Sequence, residues 1–396
     1  MEKKTVRDID VFGKKVLVRV DFNVPMADGK ITDDNRIVEA LPTIKYIIDN
    51  GGSAILMSHL GRPDGKVVSK YSLKPVAKRL GELLDKKIIF AKDVVGDDAQ
   101  RKAKDLKPGD VLLIENLRFE AGEEENDKKF VEKLAKLGEV YVNDAFGTAH
   151  RKHASTYGIA KLLPNAVGFL IEKELEMICD TMANPKRPLV GILGGSKVAD
   201  KLPIIDKLID VCDTLIIGGG MAYTFLKAQG YEIGRSLLDE SKMADTLAMV
   251  EKAKEKGVNL LLPVDFVVAK EINDPASKEY TKDQNIPAEL MGVDIGKKTV
   301  KLFVKAIKKA KTVIWNGPVG VFEQKEFAEG TFKIAKAVSK VKGTTIIGGG
   351  DSGSAIIQMG LANKITHIST GGGASLKLFE GKVLPGVDVI DNKTQF

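Results

Sequence analysis

Arginines and a histidine follow four short apolar runs in the first half of the sequence. These anion-binding candidates are Arg36, His59, Arg62, Arg118 and Arg151, and two acceptors, Asp21 and Asn23, follow the first run. Guanidinium groups bind carboxylate and phosphate oxygens through paired hydrogen bonds, and the two acceptors suit a hydroxyl. We therefore expect one pocket for a compact anion that carries phosphate, carboxylate and hydroxyl groups. A structural network of ion pairs is the alternative interpretation.

Glycine follows the apolar runs of the second half instead. The glycine segments are 194–195, 218–220, 348–350 and 371–373. Glycine permits positive φ and close approach of a ligand, and the free amides at the start of a helix attract phosphate. Four such segments predict a nucleotide site. Lys197 and Lys201 lie one helical turn apart and would face its phosphates, and Asp351 is a candidate Mg²⁺ ligand.

Apolar runs alternate with longer amphipathic segments along nearly the whole chain. Examples of the runs are VLVRV, SAILMS, LVGIL and NLLLPVDF, and RIVEALPTIKYIIDN is an amphipathic segment. Continuous apolar strands separated by helices favour parallel sheets that are buried on both faces. The pattern predicts an α/β fold with two doubly wound parallel-sheet (Rossmann-like) domains joined by a hinge helix. The domains would span 1–168 and 189–380, and the helix 169–188; a plain surface helix is the alternative there.

Composition limits the classes of function. The chain has 396 residues, 43% hydrophobic and 29% charged, with a net charge of +7. Two cysteines, Cys179 and Cys212, are too few for a disulfide scaffold, and no run resembles a signal peptide or a membrane span. The lysines are spread over helical repeats, and no nucleic-acid-binding module is recognisable. We expect a cytoplasmic protein that binds neither nucleic acid nor membranes.

Several common catalytic motifs are missing from the sequence. GILGGSK lacks the Walker spacing, TLIIGGGMA is not a dinucleotide fingerprint, and there is neither a protein-kinase signature nor a serine elbow. His150 and His153 form no paired transition-metal motif. The rival interpretations are a dehydrogenase, which would need the missing fingerprint, and a two-domain solute-binding protein, which needs no glycine-lined floor. The pattern favours an enzyme that transfers a phosphoryl group between a nucleotide and a small anionic carboxylate.

The sequence resembles the phosphoglycerate kinases. The matching segments, in the family's order, are RVDFNVP, SHLGRP, ENLRF, VNDAFGTAHR, GGSKVADK, VIWNGPVGVFE, GGGDS and STGGGASL. The resemblance implies a monomer that catalyses the glycolytic reaction 1,3-bisphosphoglycerate + MgADP ⇌ 3-phosphoglycerate + MgATP. It also implies that the tail 381–396 returns to the first domain.

The resemblance assigns roles to residues at matching positions. The phosphoglycerate site comprises Asp21, Asn23, Arg36, His59, Arg62, Arg118 and Arg151. The nucleotide site comprises Gly194, Gly195, Lys201, Gly218, Gly219, Gly292, Asn316, Glu323, Gly350, Asp351, Ser352 and Gly353. Around the transferred phosphoryl group lie Arg36, Lys197, Gly349 and Gly350, and Asp351 would bind Mg²⁺. Ser196, Gly353 and Ser354 depart from the alanines that are usual in the family.

The expected chemistry follows from the charge of the attacking group. A carboxylate is already ionised at neutral pH, so the reaction requires no general base. A single in-line step then depends on positioning and on neutralisation of the equatorial oxygens. Because the two half-sites are predicted in different domains, we expect the domains to close around the substrates and to exclude water.

Overall fold

The computed structural model describes residues 1–394, and these divide into two compact units. Unit 1 comprises Met1–Glu176 and the C-terminal residues from Val383 onward, and unit 2 comprises Met177–Lys382. A six-stranded sheet forms the centre of each unit. All pairings within these two sheets are parallel, so the predicted α/β fold with two parallel-sheet units is confirmed.

The strands of unit 1 include its four short apolar runs and four further short segments. They are β1 (Lys15–Arg19), β2 (Met26–Ala27), β3 (Lys30–Ile31), β4 (Ser53–Met57), β5 (Ile89–Phe90), β6 (Val111–Leu113), β7 (Val140–Asn143) and β8 (Asn165–Val167). The sheet order is β5-β6-β4-β1-β7-β8, while β2 and β3 form a separate antiparallel pair. Arg19 at the end of β1 aligns with Met57 in β4 and with Asn143 in β7. The carboxyl ends of β4, β1 and β7 therefore lie side by side.

Helices connect the strands of unit 1. They are α1 (Asn35–Asp49), α2 (Lys74–Leu84), α3 (Asp97–Lys104), α4 (Gly122–Glu125) and α5 (Lys128–Ala135). In α1, Ile37, Ile44 and Ile47 recur at helical spacing and are fully buried in one cluster with Val16 and Val18 of β1. Each such side chain contributes about 1.5–3 kcal/mol when it leaves water. This packing fixes the first turn of α1, which carries a predicted site arginine.

A helical segment spans the boundary between the units. It consists of α6 (Phe169–Leu175), a π-helical turn (Glu176–Asp180) and α7 (Thr181–Ala183). The sequence predicts one long helix within 169–188 that Asn184-Pro185 ends. The helical segment does end before Asn184, whose backbone is restrained by Pro185, but it is not uniform. The π turn is a local widening that a regular 3.6-residue pattern does not reveal. The boundary between the compact units falls after Glu176, within this segment rather than at its two ends.

Unit 2 contains two sheets. Its strands are β9 (Leu189–Leu193), β10 (Thr214–Ile217), β11 (Asn259–Leu261), β12 (Phe266–Ala269), β13 (Glu279–Tyr280), β14 (Met291–Ile295), β15 (Thr312–Asn316), β16 (Thr344–Gly348) and β17 (His367–Ile368). The parallel sheet has the order β11-β10-β9-β15-β16-β17. Trp315 in β15 is fully buried and belongs to one core cluster with Ile192 and Ile347 from the two neighbouring strands.

The smaller sheet of unit 2 corrects one strand prediction. The run NLLLPVDF predicts a single strand, whereas the structure divides it between β11, which ends at Leu261, and β12, which begins at Phe266. Pro263 lies between them and has no N–H to donate to a sheet. β12 pairs antiparallel with β13 and β14 in a separate three-stranded sheet, which the sequence pattern does not predict.

Seven further helices follow α7 in unit 2 and accompany these sheets. They are α8 (Val198–Val211), α9 (Ala222–Ala228), α10 (Met243–Glu255), α11 (Lys297–Lys308), α12 (Glu329–Ser339), α13 (Gly350–Gln358) and α14 (Gly372–Phe379). The helices α8, α9 and α13 follow β9, β10 and β16 directly, so their N-termini point to the carboxyl edge of the parallel sheet. Within residues 1–394, no helix is both long enough and apolar enough to cross a membrane.

The C-terminal residues pack within unit 1. The amide of Gly386, in α15 (Pro385–Asp388), donates to the Ala149 carbonyl at 2.8 Å, and Asn143 Nδ2 donates to the Gly386 carbonyl at 3.2 Å. The predicted tail starts at residue 381, but Gly381 and Lys382 still belong to unit 2. The last two residues of that predicted range, 395 and 396, lie outside the described residues.

Candidate active site

The loops that carry the predicted anion ligands meet at one edge of the unit 1 sheet. The strands β6, β4, β1 and β7 are consecutive neighbours. The segments after their carboxyl ends contain Arg118, His59, Asp21 and Arg151, respectively. Because the carboxyl ends of parallel strands share an edge, strand order brings together residues that are distant in sequence.

Asp21, Asn23 and Arg36 form one contacting group. Arg36 Nη1 donates to the Asn23 carbonyl at 2.9 Å and to Asp21 Oδ1 at 3.3 Å. Asn23 Oδ1 accepts from the Gly61 amide at 2.9 Å, which ties the loop after β1 to the loop after β4. The Arg36 side chain is 40% exposed. It is thus oriented by two acceptors and remains accessible to a ligand.

Arg118 is the buried arginine of the predicted set. Its Nη1 donates to the Gly61 carbonyl at 3.1 Å, and its Nε lies 3.5 Å from Glu124 Oε1. The side chain of Arg118 is 6% exposed, whereas that of Glu124 is 47% exposed. Solvent therefore screens the carboxylate more than the guanidinium, and the ion pair compensates the buried charge only in part.

Positive charge accumulates at this edge of the sheet. Burial lowers the pKa of Arg118, and the nearby charges of Arg19 and Arg151 lower it further. Arg62 and Arg151 are exposed and extend the cationic surface. A guanidinium group stays ionised even so, because its ordinary pKa is far above neutral pH. An anion bound here would relieve the repulsion among these cations.

His59 is held in its neutral form. Its ring is 4% exposed, and its Nδ1 lies 3.1 Å from Arg19 Nη2. Burial lowers the pKa of His59 well below its ordinary value, and the charges of Arg19, Arg118 and Arg36 lower it further. Burial also lowers the pKa of His153 to about 4, with the same arginines Arg19 and Arg118 contributing. Both imidazoles are therefore uncharged at neutral pH.

Three residues near this site are missing from the sequence prediction: Arg19, Glu123 and His153. Arg19 and Glu123 are fully buried, and Arg19 Nη2 lies 3.9 Å from Glu123 Oε2. A sequence signal for Arg19 exists, because a charge inside the apolar run VLVRV must find a buried partner. Glu123 lies in the short acidic helix α4, where nothing in the sequence distinguishes it from Glu124 and Glu125.

A cavity of about 370 Å³ in unit 2 collects most residues of the predicted nucleotide site. The predicted residues that line it are Gly194, Gly195, Lys197, Lys201, Gly219, Gly292, Asn316, Glu323, Gly349, Gly350, Asp351 and Ser352. Segments that follow β9, β10, β15 and β16 supply most of this lining. These four strands are consecutive in the parallel sheet, so the cavity lies at its carboxyl edge, where doubly wound folds bind ligands.

One end of the cavity is suited to phosphate. Gly349 has φ +94°, a region that favours glycine, and it turns the chain from β16 directly into α13. The amides of the first turn of α13 have no partner within the helix, so they are available to an anion. Ser352 Oγ accepts from the Gly317 amide at 3.2 Å, which ties this turn to the loop after β15.

Two lysines line the same end of the cavity. Lys201 Nζ donates to Asn316 Oδ1, and Asn316 Nδ2 donates to the Gly348 carbonyl at 3.0 Å. Burial lowers the pKa of Lys201. Lys197 is exposed and occupies the N-cap position of α8. Lys201 is therefore fixed by the protein, whereas Lys197 is free to follow a ligand.

Another part of the cavity lining is apolar. It includes Tyr223, Leu237, Met291, Val293 and Val321. A Cβ atom on Gly292 would lie 2.1 Å from Tyr223 Oη, so the cavity wall requires glycine at this position. The apolar residues are missing from the sequence prediction, since single apolar side chains in loops and short strands are common in any core. Their flat, apolar surfaces suit a nucleotide base.

Two predicted nucleotide ligands lie behind the cavity wall. The Gly218 amide donates to the Leu193 carbonyl at 2.8 Å, and a Cβ atom there would meet Val319. The Gly353 amide donates to the Gly349 carbonyl at 3.2 Å within α13. Both amides are used by the protein backbone, and neither residue lines the cavity. Sequence proximity to a glycine run does not distinguish a lining glycine from one that permits packing.

A divalent cation at this site would depend on phosphate oxygens. Across residues 1–394 no group of three or more His, Cys, Asp or Glu residues could enclose a metal ion. Asp351 is exposed in the first turn of α13 and lines the cavity. One carboxylate beside bound phosphates is the ordinary arrangement for Mg²⁺, which retains several waters and needs few protein ligands. The residues present fit a nucleotide-bound Mg²⁺.

A family model, curated relatives and solved structures of one family match this chain. The phosphoglycerate kinase family model matches residues 6–382. The phosphoglycerate kinase of Clostridium tetani is 55% identical over 394 residues, which cover 99% of this chain and 98% of that protein. The enzyme of Clostridium botulinum strain Hall is 56% identical, with 99% of each chain covered. The structure of phosphoglycerate kinase from Coxiella burnetii has a TM-score of 0.90 at 40% identity and covers 98% of each chain.

Proposed function

Since the chain belongs to the phosphoglycerate kinase family, we propose that unit 1 binds the phosphoglycerate and unit 2 binds the nucleotide. The reaction that it catalyses is the reversible transfer of the acyl phosphate of 1,3-bisphosphoglycerate to ADP. The observation that carries this division is the contrast between the two sheet edges. The edge in unit 1 is cationic, with Arg36, Arg118 and their neighbours. The edge in unit 2 combines glycine amides with an apolar wall.

In unit 1 the cations would bind the phosphate and carboxylate of the substrate. Arg62, Arg118 and Arg151 supply forked donors, and the oriented Arg36 lies beside Asp21. Asp21 has a side chain that is only 11% exposed and would accept from the substrate hydroxyl. A substrate that lacked this hydroxyl would leave a buried carboxylate oxygen without a donor.

In unit 2 the nucleotide would lie along the cavity. Its phosphates would contact the first amides of α13 and the ammonium of Lys201, and its base would lie in the apolar part beside Gly292. Glu323 also lines the cavity, and its carboxylate would accept from the ribose hydroxyls.

Phosphoryl transfer would proceed in one in-line step. The substrate carboxylate is ionised at neutral pH, so no residue needs to remove a proton. Arg36, Lys197 and the amides of Gly349 and Gly350 would neutralise the equatorial oxygens of the transferred group. One such donor lowers a barrier by about 2.7–4 kcal/mol in comparable sites. Mg²⁺ held by Asp351 and the nucleotide phosphates would supply additional positive charge.

Transfer would require the two half-sites to meet. Reacting atoms must approach to about 3–3.5 Å, and the half-sites belong to different units. We propose hinge bending within the helical segment 169–183, since its π turn lies beside the boundary at Glu176. Small-angle X-ray scattering of the free enzyme and of the enzyme with 3-phosphoglycerate and MgATP tests this. The radius of gyration should fall with both ligands, and identical curves would contradict closure.

The division of ligands between the units can be tested by titration calorimetry. Arg62→Ala removes an exposed donor of unit 1, so its fold should be retained. We expect this variant to lose affinity for 3-phosphoglycerate and to keep its affinity for ATP. Lys201→Ala is the matched change in unit 2 and should show the opposite selectivity. Equal losses for both ligands in either variant would contradict the proposed division.

We extend the proposal to a cytoplasmic monomer. Both cysteines are free thiols, and Cys212 is buried, as expected in a reducing compartment. Sedimentation equilibrium should give the mass of a single chain, 42.9 kDa, at micromolar concentration. A concentration-dependent rise toward twice that mass would contradict the monomer.

A further inference from the structure

A buried polar network lies beneath the cationic edge of unit 1. Glu123 Oε2 accepts from Ser155 Oγ at 2.6 Å, and Glu123 Oε1 accepts from the Ser155 amide at 2.8 Å. Arg19 Nε donates to Ser155 Oγ at 2.8 Å. All three residues are fully buried. An arginine and a glutamate of this kind are costly to remove from water, so their retention in a core calls for an explanation.

The network holds the Arg19 guanidinium by several contacts at once. Besides Ser155, its Nη1 donates to the Val20 carbonyl at 2.5 Å, and Glu123 lies 3.9 Å from Nη2. The Tyr141 hydroxyl also donates to the Ser155 carbonyl at 2.6 Å, which fixes the loop that carries the serine. The planar guanidinium group of Arg19 therefore has one orientation. That orientation points Nη2 to His59 Nδ1 at 3.1 Å.

The contact with Arg19 decides where the His59 ring carries its proton. A guanidinium nitrogen can only donate, so His59 Nδ1 must accept. A neutral ring with an accepting Nδ1 carries its hydrogen on Nε2. An Nδ1–H tautomer, or a doubly protonated ring, would place two N–H groups against each other at 3.1 Å.

We propose that Arg19, held by Glu123 and Ser155, is a positioning residue that locks His59 as the Nε2–H tautomer, so that His59 is a neutral hydrogen-bond donor to the anionic phosphoglycerate. This inference rests on the proposed phosphoglycerate site. It explains why the buried charges are present: an apolar residue at position 19 would leave the ring free to exchange its proton between the two nitrogens. The Nε2–H donor of His59 would then be present in only part of the protein molecules.

The charged and titratable groups that face His59 come from several elements. Arg19 ends β1, Arg36 lies in α1, Arg118 follows β6, and His153 follows β7. All four lower the pKa of His59, in addition to the larger effect of burial. Removal of the Arg19 charge should therefore raise the pKa of His59. Replacement of Arg19 by lysine keeps the charge but cannot reproduce the planar set of N–H donors. The tautomer of His59 can therefore be changed separately from its pKa.

The tautomer can be read directly from the full-length enzyme labelled with ¹⁵N-histidine. The sequence has four histidines, and His59→Gln identifies the signals of His59. A long-range ¹H–¹⁵N correlation spectrum at pH 7 should show only the Nε2–H form, and addition of 3-phosphoglycerate should shift Nε2 rather than Nδ1. A wild-type ring protonated at Nδ1 would overturn the proposal, and this measurement needs no variant.

Variants then test the cause of the lock. Arg19→Lys should give a mixture of tautomers with a low pKa of His59, and its KM for 3-phosphoglycerate should rise about tenfold, as for loss of one hydrogen bond to a charged group. Ser155→Ala should have a smaller effect of the same kind. The KM for ATP should stay within about twofold in both. An unchanged tautomer and unchanged KM in Arg19→Lys would overturn the proposal.

A matched control separates this effect from simple loss of stability. Asp265 in unit 2 is a buried carboxylate, 5% exposed, that accepts from Thr299 and Lys298. Asp265→Asn should lower the melting temperature without change in the His59 tautomer. If it perturbs His59 as much as Arg19→Lys does, the proposal fails. If 3-phosphoglycerate does not bind the wild type and shifts no imidazole signal, the proposed phosphoglycerate site itself is wrong. If it binds while His59 carries its proton on Nδ1, only the proposed role of Arg19 is rejected.

Discussion

The ammonium of Lys201 donates to the side-chain oxygen of Asn316, and the amide nitrogen of Asn316 donates to the Gly348 carbonyl at 3.0 Å. A residue of α8 is thereby connected through the end of β15 to the end of β16. The contact places a half-buried cation beside the first turn of α13. Lys197, the other lysine of the cavity, is exposed and has no such restraint. The two lysines should therefore contribute differently to binding and to transfer.

Lys197→Ala and Lys201→Ala should have different kinetic effects. Lys197 would contact the transferred group as its charge moves, so Lys197→Ala should lower kcat by about two decades and leave ADP affinity nearly intact. Lys201→Ala should weaken ATP binding. Calorimetry with both nucleotides and steady-state kinetics measure these effects. A loss of ATP affinity with normal kcat in Lys197→Ala would show that the roles are reversed.

Arg36→Ala should reduce turnover far more than nucleotide binding. Arg36 belongs to unit 1 and is oriented toward a ligand by Asp21 and Asn23. Loss of one such donor costs about 3–4 kcal/mol of transition-state stabilisation, or two to three decades in kcat. Arg79→Ala is a useful control, because Arg79 is a surface arginine paired with Asp34 and Glu82. A kcat near that of the wild type in Arg36→Ala would exclude Arg36 from the transfer step.

Asp351→Asn should raise the Mg²⁺ concentration needed for half-maximal rate by several-fold. The amide keeps one oxygen but loses the charge that favours a hard cation. Asp200 also lines the cavity and provides the matched Asp→Asn control. Initial rates at fixed ATP and varied Mg²⁺ measure the effect. Superimposable titrations of wild type and Asp351→Asn would mean that phosphates and water hold the ion alone.

Asp144 should make unit 1 less stable as the pH rises. Burial raises the pKa of Asp144 to about 7, although Leu170 and Ile171 donate to its Oδ1 at 2.9 and 3.4 Å. Between about pH 4 and 7 the folded state binds a proton that the unfolded state has lost, so the free energy of unfolding falls with increasing pH. Asp144→Asn should flatten this dependence, by up to about 1.4 kcal/mol per pH unit.

Chemical denaturation of wild type and Asp144→Asn between pH 5 and 8 measures that slope. Burial likewise raises the pKa of Asp294 in unit 2 to about 8, so Asp294→Asn is the matched control for the other unit. The two single variants should each remove part of the slope. A wild-type slope that survives in Asp144→Asn would show that Asp144 is already ionised in the folded protein at pH 5.

Deletion of the chain after Glu380 should destabilise unit 1 and lower kcat. The deletion removes the Gly386 contacts with Ala149 and Asn143 and the hydrogen bond from the Asp391 amide to Asn165 Oδ1 at 2.8 Å. Ala149 lies two residues before Arg151, so the cationic loop loses support. Differential scanning calorimetry should show a lower transition for unit 1. A shorter deletion of 394–396 keeps these contacts and should have the transition temperature and kcat of the wild type. Equal transition temperatures and kcat values for the two deletions would contradict the prediction.

The sequence predicts those features that depend on residues close to each other along the chain. The apolar runs of β1, β4 and β7 are continuous, so both the strands and the loops after them follow from the pattern. Arg36 and Arg118 are predictable for the same reason: each follows such a run. The glycines at 349 and 350 are predictable because they lie between a strand and a helix.

Features that depend on distant partners are not predictable in this way. Arg19 finds Ser155 across 136 residues, and its orientation depends on Glu123 from a third segment. The π turn at Glu176–Asp180 arises from packing and leaves no mark in a 3.6-residue period. Gly218 and Gly353 belong to glycine-rich segments, yet their amides are used within the protein. Only the three-dimensional structure shows which glycines of a run line the cavity.

The assignment of the residues from Val383 onward to unit 1 has a consequence for biosynthesis. A ribosome delivers the chain from its N-terminus, and domains generally fold as they emerge. Here the first unit to emerge lacks the segment that contacts Ala149 and Asn143 until all of unit 2 has been translated. Unit 2, in contrast, is a single continuous segment and can fold without waiting for later residues. Maturation of the nascent protein should thus end at the loop that carries Arg151, so the cationic edge would reach its final form last.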